Sequence, residues 1–144
     1  MKKVIRLAVF TAVLFTLSTS YSLAQRQWYR DNPRQIIRNL ETDTDSFKSS
    51  LDHALDRSPL NGTEREDEIN NYVKEFEHAT DKLKDRSEDQ QYSPNLAREV
   101  LARGRSINVF MRRHRLGGEA ESDWVRVRND LTQLANSYYI TWRW

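Results

Sequence analysis

The sequence predicts an all-α protein, an antiparallel up-down-up-down four-helix bundle that follows a cleaved signal peptide. Three observations predict it. Apolar residues recur at steps of three and four along four long segments. Those segments are separated by proline, glycine and capping residues spaced for short loops, which favour antiparallel neighbours. No alternating apolar and polar run is long enough to build a sheet.

Residues 1–24 read as the signal peptide. Lys2, Lys3 and Arg6 give a basic start, Leu7 to Leu17 an apolar run, and Ser22-Leu23-Ala24 a small-x-small cleavage site. The apolar run is shorter than the roughly 20 residues a membrane span requires. Cleavage before Gln25 is therefore expected rather than anchoring, leaving no stable membrane span and a periplasmic or extracellular location. The chain has no cysteine, which excludes a disulfide, a thiolate metal site, a lipidated cysteine and a covalently attached c-type haem. Residues 25–144 must hold together by packing alone, and their number suits a single domain.

Gln25 to Asp31 is a polar lead-in carrying Trp28 and Tyr29. Asn32-Pro33 then starts the first helix, because asparagine caps and proline at the first position loses no needed donor. That helix is expected over about 33–57, with Ile37, Leu40, Thr44, Phe47, Leu51 and Ala54 inward. Ser58-Pro59-Leu60-Asn61-Gly62 breaks it. Thr63-Glu64-Arg65-Glu66 reads as a capping box opening a second helix over about 63–90. Its inward residues are Ile69, Tyr72, Val73, Phe76, Thr80 and Leu83.

Ser93-Pro94 starts a third helix over about 94–116, with Leu96, Val100, Ile107, Phe110 and Met111 on one side. Gly104 shares that side, where a missing side chain permits close helix approach despite costing about 1 kcal/mol of helix propensity. Leu116-Gly117-Gly118 ends this helix, and the fourth follows over about 119–139. Trp124, Val127, Leu131, Leu134 and Tyr138 form its stripe, and residues 140–144 make an aromatic tail. Leu60-x-Gly62 and Leu116-x-Gly118 occupy equivalent places between the two helix pairs, a faint internal likeness.

The fourth segment carries the string D-W-x-x-V-R-x-D-L-x-x-L-A-x-x-Y-x-x-x-W-x-W from Asp123 to Trp144. This string resembles the ending of an uncharacterised family of small exported all-helical bacterial proteins. A looser similarity spans Phe47 to Glu68, including Leu51-Asp52 and Asn61-Gly62-Thr63. The resemblance implies export and a helical fold, and supplies no activity.

Up-down topology would gather Trp28, Tyr29, Tyr92, Tyr138, Tyr139, Trp142 and Trp144 at one pole. Such a group either plugs the bundle and pins its ends or lines a site for an apolar, sugar or peptide ligand; large aromatics favour the plug.

Catalytic and cofactor chemistry is poorly served. His53 and His78 fall opposite the apolar stripes and His114 lies on one, so the three histidines are not expected to converge. Met111 and His114 sit one turn apart on one helix and could not ligate a haem from opposite faces. The Glu75-x-x-His78 step occurs once, whereas di-iron carboxylate bundles need it twice plus two further inward glutamates. Asp43-Thr44-Asp45 lacks the glycine and spacing of a calcium loop. There is no nucleophile elbow and no phosphate-cradling glycine loop. No enzyme, cofactor or metal is expected.

Charge is more informative. The chain holds 23 basic and 21 acidic residues, three of the basic ones in the leader, so the remainder is net −1. Residues 25–97 carry 11 basic and 16 acidic groups, whereas residues 98–144 carry 9 basic and 5 acidic. Arg98, Arg105 and Arg112 recur every seven residues along the third helix, with Arg103, Arg113 and Arg115 beside them. This stripe either pairs with the acid-rich second helix or meets an anionic envelope component or acidic protein. Near-neutral charge and export argue against nucleic acid. The expected function is non-catalytic interaction with a protein or envelope surface, with small-ligand binding at the aromatic pole as the alternative.

Overall fold

Asn32 begins the first helix as its residue type requires. The computed structural model describes residues 32–144, and there the Asn32 side chain accepts from the Arg34 N–H at 3.1 Å. With Pro33 at the first position, α1 spans Pro33–Asp56. Three further helices follow, α2 (Glu64–Glu88), α3 (Pro94–Arg113) and α4 (Gly118–Ser137). No strand occurs among the described residues. The expected leader, with Trp28 and Tyr29, lies outside the described residues.

The inward stripes account for the packing. Ile37, Leu40, Phe47 and Leu51 of α1 are all but inaccessible. Leu55, not the expected Ala54, takes the last core position, because the stripe advances by four residues after Leu51. Phe76 and Leu83 of α2, Ile107 of α3, and Val127, Leu131 and Leu134 of α4 join the same core. The buried hydroxyls of Thr44, Ser50 and Thr80 each donate to a carbonyl one turn back, so they enter the core satisfied.

The capping box expected at Thr63 does not form. The Thr63 hydroxyl donates to the Leu60 carbonyl at 2.6 Å instead of accepting from the helix. Glu66 reaches the Gly62 N–H, because the Thr63 N–H is itself taken by Leu60. The third helix stops at Arg113, three residues before the expected end, as His114 leaves helical geometry at φ −117° and ψ 87°. Gly117 and Gly118 then both adopt left-handed φ values of 70° and 59°, a turn that side chains rarely permit.

α1 packs on α2 and α4, and α3 packs on the same two helices. Arg34 Nε donates to the Ser87 carbonyl at 3.0 Å, setting the start of α1 beside the end of α2. Lys48–Glu77 and Lys84–Glu41 ion pairs bridge the same two helices at 2.9 and 2.6 Å. Gly104 of α3 lets α4 and α2 approach: a Cβ there would stand 2.6 Å from Leu131 Cδ1 and 3.6 Å from the Phe76 ring. The α1–α4 seam is the broadest and the α3–α4 seam the narrowest. No described helix is long and apolar enough to cross a membrane.

Candidate functional site

The narrow α3–α4 seam is completed by the chain's own tail. At the end of α4 the Ile140 N–H reaches the Ala135 carbonyl at 2.8 Å and the Tyr139 N–H reaches Asn136 at 3.1 Å. This paired pattern reverses the chain and places Tyr139 in the left-handed region at φ 55°, a role usually given to glycine. The tail then runs back between the two helices. The Arg105 guanidinium lies over the Trp142 ring at 4.6 Å and donates to the Arg143 carbonyl at 2.8 Å. The Arg128 guanidinium lies over Trp144 at 4.8 Å, and the Trp144 indole N–H reaches the Thr132 hydroxyl at 3.3 Å. Each stacked cation adds a quadrupole attraction to the apolar contact.

Trp124 joins this seam to the core. Its ring packs on Phe47 of α1 at 5.1 Å and edge-on to Trp144 at 6.4 Å. Its indole N–H is satisfied by the Asn108 side-chain oxygen of α3 at 3.2 Å. One residue on α4 thus touches α1, α3 and the tail.

The expected aromatic pole is therefore divided. Tyr92 and Tyr138 do meet, stacked at 5.0 Å with the Tyr92 hydroxyl donating to the Tyr138 carbonyl. Trp142 and Trp144 pack edge-on to each other at 5.4 Å and lie back along the seam. Tyr139 is 93% exposed. The reversal at Tyr139 separates the two groups, and its signal was hidden because no glycine marks it.

The arginine stripe divides as well. Arg98 donates to Asn95 at 3.1 Å, and Arg105 is committed to the tail. Arg103 alone pairs with the acid-rich α2, through Glu75 at 3.4 Å. Arg113 faces the α2 side, in a cleft with Glu68 and Tyr72. Arg112 lines a different cleft of about 290 Å³ with Arg115 and Arg128. Arg128 is the residue that reading α3 alone missed; its place four residues after Trp124, beside the α4 stripe, was the available signal.

The α1–α2 and α3–α4 loops border a wider cleft of about 530 Å³ that includes His53, Arg57, His114 and Arg115. His53 and His114 thus border one cleft and His78 does not; helical wheels carry no information on how two loops meet. His53 and His78 are exposed, and His114 packs on Phe110 at 4.5 Å. No three histidine or carboxylate side chains are grouped to hold a metal ion among the described residues.

The broad α1–α4 seam carries carboxylates where apolar groups would be cheaper. Asp123 is 3% exposed and paired with Arg126, which also stands 3.7 Å from Asp43 of α1. Asp130 is 6% exposed. Burial, with a hydrogen bond and charge repulsion from Asp43 added to it, pushes the Asp130 carboxyl up to about 7. Asp130 Oδ2 meets no hydrogen-bond partner among the described residues, a state that suits a protonated carboxyl better than a charged one.

The chain matches no family model, and no curated protein or solved structure matches it.

Proposed function

We propose that the chain is a non-catalytic exported protein, its four helices alternating in direction behind a leader removed before Gln25, that binds an anionic envelope surface or acidic protein. The observation that supports this reading is the state of Arg112, Arg113 and Arg115. All three are exposed, and none has a carboxylate within salt-bridge distance among the described residues. α2 offers acidic groups in abundance, yet among the described residues Arg103 is the only arginine of α3 and the loop after it that pairs with them. Charges left unpaired on one end of a helix create a local positive field although the mature chain is near neutral.

The aromatic residues support packing rather than ligand capture. Tyr92 covers Tyr138, Trp144 covers Trp124, and the two tail tryptophans pack on each other.

The test is retention of the mature chain on vesicles bearing anionic headgroups across a salt series. Retention at low salt, release as salt rises, and weakening by the combined Arg112→Ser, Arg113→Ser and Arg115→Ser substitution are expected. Absent or salt-insensitive retention would overturn the reading. Arg105 is left intact in that variant because its loss would free the tail.

A further inference from the structure

From the cleft between α3 and α4, we infer a site for a phosphate-type oxyanion carried on a small apolar group. The inference rests on the arginine reading above and narrows it to one place. Arg112 and Arg115 approach from the end of α3, and Arg128 from α4, around a volume of about 290 Å³. That size is at the lower edge of the roughly 300–1,000 Å³ usual for small-molecule sites.

One donor in this wall lacks an acceptor among the described residues, and a second side chain offers an amide. Arg128 Nε is shut away from solvent with no hydrogen-bond partner. The Asn108 side chain is 4% exposed and gives its oxygen to Trp124, which leaves its amide N–H groups as donors. A buried donor without an acceptor is costly, and an oxyanion that reached the Arg128 Nε–H would relieve that cost. The single acidic residue of the lining, Glu121, is already engaged by the Gly117 N–H at 3.3 Å.

The donor set selects the anion. One guanidinium fork matches the two oxygens of a carboxylate. Three guanidinium groups and an amide suit an anion with three or four oxygens. Val125, which is 51% exposed, Met111 and Trp124 also line the cleft and give it an apolar part, which suits a short hydrocarbon attached to that anion.

The test is a nuclear magnetic resonance titration of the mature chain, reading the Trp124 indole N–H and the Arg128 Nε–H. Butyl phosphate is expected to shift both saturably and to bind several-fold more tightly than inorganic phosphate. Combined Arg112→Gln and Arg115→Gln, both exposed positions, should weaken binding at least about tenfold, as loss of two charge-assisted contacts implies. Shifts that only track chloride at matched ionic strength, or that persist unchanged in the double variant, would overturn the site. Equal affinity for the two phosphates would overturn its apolar half. Vesicle retention without saturable phosphate shifts would sink the cleft and leave the broader arginine face standing; loss of both would sink both.

Discussion

The two seams of α4 solve the same packing problem differently. Against α1 the helix presents a broad, continuous surface in which Val127 and Leu134 are fully buried and two aspartates are admitted under guard. Against α3 the backbone contact is narrow, and close approach is concentrated where Gly104 meets Leu131. The remainder of that second seam is filled by Trp142 and Trp144, held by arginines from either side. The contrast teaches that a helix can be secured either by a matched partner face or by a short extended segment inserted beside it. The second solution places cations and an unsatisfied donor near the surface, and there the candidate site lies.

The sharpest way to break the comparison is to empty the second seam. Trp142→Ala with Trp144→Ala should cost about 3 kcal/mol, since both rings are half-buried and large aromatic deletions from full burial cost roughly 3–5 kcal/mol each. Urea unfolding followed by circular dichroism measures it. A loss below about 1 kcal/mol would mean that α3 and α4 need no filler.

The first seam is tested by pH. Asp130 binds its proton more tightly folded, near 7, than unfolded, near 3.8. Its stabilising contribution is thus complete below about pH 4 and is lost as pH rises through 7. Between pH 5 and 8.5 the protein should lose about 3 kcal/mol through this group, and Asp130→Asn should remove that part of the pH dependence. Parallel pH profiles for the two proteins would show that Asp43 and Arg126 leave Asp130 ionised.

The smallest effect concerns the turn that joins the seams. Tyr139→Gly should stabilise by about 1 kcal/mol, because the left-handed backbone costs a side chain roughly that much and the ring is nearly fully exposed. A destabilised Tyr139→Gly protein would assign the exposed ring a packing role.

Much of the helical core was legible. The α4 stripe from Trp124 to Tyr138 is buried throughout, and Gly104 stands where α3 meets its neighbours. Periodicity suffices in such places because a helix turns by a fixed angle per residue. The ending string reads differently with the fold in view: Asp123, Trp124, Arg128, Asp130, Trp142 and Trp144 all pack inward or hold the tail. The tail's reversal was not legible, since it hangs on a tyrosine in a glycine conformation. Nor was the cleft, because Arg112, Arg115 and Arg128 belong to two helices and a loop whose approach no single wheel contains. Thr63 was misread for a similar reason: whether its hydroxyl caps forward or bonds back to Leu60 depends on the turn before it.

The pairing of Asp130 with Asp43 also bears on alignment. Sliding α4 by one turn along α1 would carry the Asp130 carboxyl from beside Asp43 to Leu40 or Phe47, whose side chains offer no acceptor or donor. Stripes of leucine and valine tolerate such slippage far better than an acid does. The aspartate thus works as a key cut for a single position, sacrificing some cohesion at high pH so that the two longest-matched helices meet in only one register.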